Sequence, residues 1–465
     1  MISLSLTEIA GITGGTLRDV PNPAACLTGP SVCDSRETAP GGMFAAIAGE
    51  HVDGHDYAAA AVAAGAVCVL ATRPVGVPAV VVADVTAALG ALAHEVSQRV
   101  GATVIGLTGS AGKTTTKDLL AQVLDRHAPT VATARSFNTE IGLPLTMLRA
   151  DATTRYLVLE MGARHIGDLR YLTSIVRPTI GLVLNVGTAH VGEFGSHAAI
   201  AEAKGELVEA LPDAEAGGIA ALNADDELVA AMASRTTARL LLYGRAGHAD
   251  VRADDIELAG GRARFRLSAG GVSARVELRY LGEHQVGNAL GAAAVAYGAG
   301  MTVPVIAEAL SDARPRAAGR LEVTERPDGV TVINDAFNAN PDSVRAALKT
   351  LAAMAGGRRT IAVLGEMAEL GDTAREGHEQ AGRLAADLGI DVLVAVGGAN
   401  AAVIADTALS HDRPPRAMVV PDADAALAAL RDLLRPGDIL LAKASHAMHL
   451  EALAVTLATA GGPAA

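Results

Sequence analysis

The segment VIGLTGSAGKTTTKDLL, from Val104 to Leu120, sets an apolar strand, a glycine-containing turn and the letters GKTT in front of a helix. Such a turn directs backbone N–H groups at phosphate oxygens, and the helix N-terminus adds its dipole. The candidate nucleotide loop is Thr108, Gly109, Ser110, Ala111, Gly112, Lys113, Thr114 and Thr115. Lys113 suits the β- and γ-phosphates of ATP, and the Thr114 hydroxyl suits Mg²⁺. The common spacing GxxxxGK[ST] is not met, because Leu107 stands where its first glycine belongs, so the loop is the shorter TGxxGKTT form. A glycine turn with an incidental lysine does not explain strand, turn and helix in this order. The loop alone leaves kinase, switch, motor and ligase open.

Further chemistry lies downstream. Glu160 closes the run YLVLE, Asn185 and His190 sit in NVGTAH, and Lys204 sits in AEAKGE. Each has a plain structural reading: a solvated strand-end carboxylate, a locally satisfied histidine, an exposed charged helix. Their positions at or beyond successive strand ends favour the functional one, because strand carboxyl ends in a parallel sheet converge on one crevice.

The elements that must carry these residues follow from the pattern. Residues 1 to about 100 mix short β-like runs at Met43–Ile47, Val67–Leu70 and Ala79–Val82 with Ala-rich helical stretches. Strands at Thr103–Leu107, Tyr156–Leu159 and Ile180–Asn185 alternate with helices such as Thr115–Asp125, which implies a mainly parallel sheet covered on both faces. The alternating stretch Asp250 to Tyr280 reads as a small antiparallel appendage. Ser311 to Arg320, with Pro315, reads as a linker. Strands at Val330–Asn334, Thr360–Leu364, Val392–Val396, Met418–Val420 and Ile439–Ala442 then repeat the doubly wound pattern. The fold class expected is α/β with three domains: a small mixed α/β unit (1–100), a P-loop parallel-sheet unit (101–315) and a Rossmann-like unit (316–465).

Length and composition agree. At 465 residues, half of them apolar, the chain can bury three cores. Its net charge of -13 argues against a broad nucleic-acid footprint, which needs clustered Lys and Arg. Three cysteines, Cys26, Cys33 and Cys68, form no CxxC pair, so neither a disulfide framework nor a zinc site is expected. The opening MISLSLTEIAG lacks a basic segment and a continuous apolar core, and Ala289–Ala307 is broken by glycines and Pro304. A cytoplasmic protein without membrane insertion is expected.

The ordered set TGSAGKTTTKDLL, LEMGARHIGDL, NVGTAHVGEFGS, AEAKGEL, LGEHQVGNALGAAA and GRLE resembles the Mur ligase family of peptidoglycan synthesis, over nearly the whole chain. The resemblance implies a UDP-substrate domain, a central ATPase domain and a C-terminal domain. It implies a substrate carboxylate attacking the γ-phosphate of ATP, and an amine then displacing phosphate from the acyl phosphate. It assigns Thr114 and Glu160 to a first Mg²⁺ and His190 to a second. Lys204 matches the family lysine that becomes carbamylated, a change from cation to oxygen donor that suits Mg²⁺. Asn288 would read adenine, Asp335 the ribose, and Arg320 would reach the γ-phosphate after domain closure.

Two segments narrow the substrates. SVCDSRETAPGGMFAAIAGEHVDGHDY resembles the UDP-binding domain of the last two amino-acid-adding members, with Ser35, Arg36 and the turn Gly49–His55, including Asp53, on the uridine-diphosphate end. Asn138 in SFNTEIGLPLTML matches a position near the muramoyl group. INDAFNANPDSVRAAL carries NANPDS, and no DNPR segment for a diamino acid is present. That resembles the member adding D-alanyl-D-alanine to a UDP-muramoyl-tripeptide, with Phe337, Asn338 and Asn340 facing the dipeptide. LGEMAELG and GHEQAG fit the same member. A monomer acting on small molecules is expected.

Some positions depart from the family pattern. Ala111 replaces a polar loop residue without losing a backbone donor, and Thr139 follows Asn138 where a second Asn is frequent. LAKASHAMHLE has Ala444 and His446 for a commoner Gly and Arg. A histidine replaces a fixed charge by one that titrates, so an anion held there would bind less tightly as pH rises. The rival readings are the same ligation with another amine, a P-loop phosphotransferase or switch, and a silent nucleotide-binding scaffold. The phosphotransferase or switch leaves Glu160, His190, Lys204 and NANPDS without a joint explanation, and the presence of Lys113, Glu160, His190, Lys204 and Arg320 together argues against the scaffold.

Overall fold

The structure, a computed structural model, describes residues 1–49, 52–188 and 191–459. Three sheets, one per domain, follow one another along the chain. The first has the spatial order Thr16–Arg18, Ala79–Val81, Cys68–Ala71, Met43–Ala45, Ser31–Val32, parallel except at its Thr16–Arg18 edge.

The central sheet has nine strands. Thr103–Thr108 lies inside it, with Tyr156–Glu160 on one side and Ile180–Val183 on the other, both parallel to it. Thr130–Ala132 forms the edge beyond Tyr156–Glu160. The chain therefore reverses its direction of strand addition at Thr103–Thr108, and a ligand crevice opens at that switch. The strands Ile219–Asn223 and Arg239–Gly244 continue the parallel part. The expected appendage is antiparallel but not separate. Val251–Ala259, Arg262–Ala269 and Val272–Leu281 extend the same sheet, because Tyr243 and Gly244 pair in parallel with Val251 and Arg252.

The helix Lys113–Asp125 opens on β-branched threonines, which are poor helix formers, so packing must hold it. It buries Leu119, Leu120, Val123 and Leu124. Beside it runs Gln285–Gly298, buried from Asn288 through Ala296. Small residues let this helix sit close: a Cβ on Gly291 would stand 3.1 Å from Leu184 Cδ2. Among the described residues no helix is long and apolar enough to cross a membrane.

The third sheet has the order Glu322–Glu325, Thr331–Asn334, Ile439–Lys443, Thr360–Gly365, Val392–Val396, Arg416–Val420, parallel except for its first strand. The expected linker begins two residues late, at Ala313, since the helix Val303–Asp312 runs through Ser311 and Asp312.

Candidate functional site

Gly112 ends the phosphate loop with φ +80, a left-handed backbone that glycine adopts freely, and supplies no side-chain cap to the helix Lys113–Asp125. A Cβ there would meet Asn288 Oδ1 at 2.4 Å, so backbone shape and close approach both require glycine. Asn185 grips the loop from the next strand end. Its Oδ1 accepts from Ala111 N at 2.8 Å, its Nδ2 donates to Ala111 O at 3.1 Å, and its carbonyl accepts from Ser110 N at 3.1 Å. Asn185 grips only the backbone of Ala111, so this anchor needs no polar side chain there. The Lys113 ammonium donates to Gly109 O at 2.7 Å. Burial lowers its pKa, the Glu160 charge opposes that, and Arg320 adds to it.

Glu160 is 1 % exposed. Its Oε1 accepts from Asn138 Nδ2 at 2.8 Å, while its Oε2 is buried without a partner. A carboxylate oxygen out of water and unbonded is costly, and a hard cation is the kind of group that satisfies it. The Thr114 hydroxyl, 3.3 Å from Ser136 Oγ, borders the same cavity. Among the described residues no cluster of three or more His, Cys, Asp or Glu could hold a metal alone. Two oxygen donors beside a phosphate loop fit Mg²⁺, which takes few protein ligands and completes its shell from phosphate and water. His190 lies outside the described residues.

The exposed-helix reading of AEAKGE fails. Lys204 is 4 % exposed and Glu206 1 % exposed. Glu206 accepts from Gly167 N at 2.7 Å and Arg170 N at 3.1 Å, capping the helix Asp168–Val176. Burial, and then repulsion from Lys113, push the Lys204 pKa well below a lysine's ordinary value. An amine so placed is readily deprotonated and nucleophilic.

Lys113, Thr114, Glu160, Asn138, Arg320, Phe337, Asn338 and Asn340 line one cavity of about 640 Å³, together with Ser110, Ala111 and Gly112. Arg320 lies over the Phe337 ring at 4.2 Å. Burial lowers the Arg320 pKa against the charges of Asp335, Glu160, Asp118 and Glu451. Asn340 spends its Oδ1 on Ser343 N, 2.9 Å away, capping the helix Pro341–Met354.

A second cavity of about 400 Å³ meets the first at the loop and Arg320, and is lined by Thr115, Asn288 and Asp335. Lys443, 2 % exposed, also borders it. Its ammonium donates to Asp335 Oδ2 at 2.7 Å and to Asn338 O at 3.0 Å. Burial lowers the Lys443 pKa and Asp335 opposes this. The sequence reading passed over Lys443, whose signal was only a lysine at the end of a buried strand. It also missed Lys117, 2 % exposed, which donates to Thr133 O at 2.7 Å and pairs with Asp118 Oδ1 at 2.8 Å.

The remaining candidates stand apart. Ser35, Arg36, Asp53 and His55 line neither cavity. Arg36 is held on Asp34, Nε to Oδ1 at 2.9 Å and Nη2 to Oδ2 at 2.7 Å. His55 Nε2 accepts from Thr72 N at 3.0 Å, so Nδ1 carries the proton toward Asp53 Oδ1 at 2.6 Å. Arg73 Nη2 also bonds Asp53, at 2.9 Å. Both ring nitrogens of His55 are thus engaged inside the domain. The His446 ring lies 5.9 Å from that of Phe337.

Comparison with known proteins places the chain by family and fold. Residues 32–105 match the model of the Mur ligase family catalytic domain, 107–296 that of the Mur ligase middle domain, and 319–446 that of the Mur ligase glutamate ligase domain. A curated protein of Mycobacterium tuberculosis, named UDP-N-acetylmuramoyl-tripeptide–D-alanyl-D-alanine ligase, is 48% identical over 98% of both chains. Its namesake in Escherichia coli is 36% identical over 85% of this chain and 86% of its own. The crystal structure of MurF from Acinetobacter baumannii superposes with a TM-score of 0.86 at 32% identity, covering 98% of this chain and 99% of that one. MurF ligase from Thermotoga maritima, in complex with ADP, gives 0.78 at 29% identity, covering 93% and 97%.

Proposed function

This chain belongs to the Mur ligase family, and we propose that it joins D-alanyl-D-alanine to the peptide of a UDP-muramoyl-tripeptide at the expense of ATP. The observation that carries the reading is the corner where the two cavities meet: Lys113, Thr114, Glu160 and Arg320 border the space a γ-phosphate would share with a carboxylate.

Two anions must approach there, and the residues divide the work. The loop N–H groups and Lys113 bind the phosphates, with Arg320 held over them by Phe337. Asn288 and Asp335 receive the nucleoside, with Asp335 fixed by Lys443 and by Leu321 N at 3.1 Å. Asn138 orients Glu160 and faces the muramoyl substrate. Phe337, Asn338 and Asn340 present the dipeptide, whose amine forms the C–N bond as the acyl carbon–oxygen bond to phosphate breaks. Ser35, Arg36, Asp53 and His55 serve the uridine-diphosphate end, the last two by shaping the turn that Asp53 caps. Thr114 and Glu160 would hold one Mg²⁺, and His190 with a carbamylated Lys204 a second. When bound, these ions neutralise the charge that gathers between carboxylate and triphosphate. As a free amine Lys204 would repel a cation, so its part depends on carbamylation.

The test supplies ATP, Mg²⁺ and UDP-muramoyl-tripeptide, and compares phosphate release with D-alanyl-D-alanine, D-alanine and diaminopimelate. Release only with the dipeptide is expected. Release with a single amino acid and not the dipeptide would overturn the substrate assignment.

A further inference from the structure

A third cavity, of about 620 Å³, borders the same corner. Thr114 and Arg320 line all three cavities, and Ser136 and Phe337 line the first and the third. One end is buried, at Thr114, Lys117 and Thr133. The other is open, ringed by exposed Arg135, Arg149 and Arg316.

The lining is cationic. Lys117 is neutralised by Asp118 at 2.8 Å, and Arg135 reaches Glu37 at 3.4 Å. Arg149 gives one N–H to Ala132 O at 3.2 Å, and among the described residues neither it nor Arg316 is in an ion pair. With Arg320 these are five cationic side chains against the carboxylates of Asp118, Asp125, Glu451 and, on Arg135, Glu37, which leaves Arg149 and Arg316 to tip the balance positive. In a chain of net charge -13, a cleft of positive balance concentrates small anions.

The ligation makes one small anion at this corner. When the amine has formed the C–N bond, inorganic phosphate is released beside Thr114 and Arg320. On the ligase reading, ADP then fills the nucleotide cavity and the lengthened UDP-peptide fills the first. Each product stands between the phosphate and solvent on its own side. The third cavity is used by neither, and it leads from Thr114 to exposed arginines.

We propose that the third cavity is the exit path, and a transient binding site, for inorganic phosphate. The Arg320–Phe337 stack and the Thr114–Ser136 pair form its inner gate, and Arg149 and Arg316 draw the anion outward. This proposal rests on the ligase reading.

The test is a single turnover of the full chain with all substrates, following amide by quenched samples and free phosphate by a fluorescent phosphate reporter. An Arg149→Ser/Arg316→Ser variant removes charge, and Ala121→Trp narrows the cavity with its charges intact. Amide formation should stay within about twofold of the parent in both, while the lag before free phosphate lengthens roughly tenfold, the scale on which charged clefts alter such rates. An unchanged lag in both variants overturns the proposal. So does a raised KM for D-alanyl-D-alanine with an unchanged lag, which would make the cavity the entry of the acceptor. Failure of the parent to form amide at all would count against the ligase reading instead.

Discussion

Lys204 is a buried amine on the helix His197–Glu209. It is 4 % exposed, and its pKa is lowered by burial and by Lys113. The sign follows from linkage: between the folded and unfolded values the unfolded chain holds more protons. The lysine therefore destabilises the fold in full below the folded value, and the penalty fades as pH rises toward the unfolded one. Lys204→Met, in buffer freed of CO₂, should raise Tm at pH 7 by roughly 2–4 °C, the shift produced by about 1 kcal/mol in a domain of this size. The gain should shrink near pH 10, and a melt that falls at pH 7 would contradict the argument. Lys204→Ala should abolish turnover, and added acetate should restore part of it where a carbamate is the working group. Lys113→Ala should abolish turnover without rescue.

Two short elements hold the loop's geometry, and each can be broken separately. Gly112→Ala forces a Cβ into a left-handed turn and against Asn288 Oδ1. Left-handed backbone costs a non-glycine residue about 1–2 kcal/mol, so ADP should bind roughly tenfold more weakly by calorimetry. The crossing loop from Thr133 to Asn138 is tied from below by Lys117, through Thr133 O at 2.7 Å and Arg135 O at 3.2 Å. That loop sets Ser136 against Thr114 and Asn138 against Glu160. Lys117→Met should leave metal-free ADP binding near parent. The gain in affinity on adding Mg²⁺ should fall roughly tenfold, as expected when a charged hydrogen bond of about 1.5–3 kcal/mol is lost. An unchanged Mg²⁺ response would remove Lys117 from the positioning role.

At the scale of the molecule, the C-terminal domain is latched to the phosphate-loop domain beside the site. Asp342 Oδ2 accepts from Thr188 N at 3.1 Å and from Thr188 Oγ1 at 3.3 Å. Gly192 N donates to Glu369 O at 3.1 Å, and Arg164 reaches the Glu369 carboxylate at 3.4 Å. Both domains line the nucleotide cavity, so loosening the latch should weaken every ligand that spans it. Asp342→Ala removes both hydrogen bonds to Thr188 and should raise the KM for ATP by roughly tenfold or more. Solution scattering with saturating ligands should show a larger radius of gyration than the parent. An identical radius with the same KM would show that Asp342 is not a latch.

Local pattern was enough for much of this protein. The strand, turn and helix around Lys113 were legible because a phosphate loop is contiguous. The parallel sheets were legible because buried strands read as short apolar runs between helices. The ordered motifs were enough to identify the family. Tertiary structure alone decided the rest. AEAKGE looks like a solvated helix face in a string of letters, and only its packing against the central sheet buries Lys204 beside Lys113. Lys117, Lys443 and Asn185 act through carbonyls and loops distant in sequence, which no spacing rule encodes. The appendage joined the central sheet because Tyr243 and Gly244 pair with Val251 and Arg252, a choice of edge that alternation cannot express. Local chemistry is written along the chain, whereas burial and partnership exist only once the central and C-terminal domains meet at one corner.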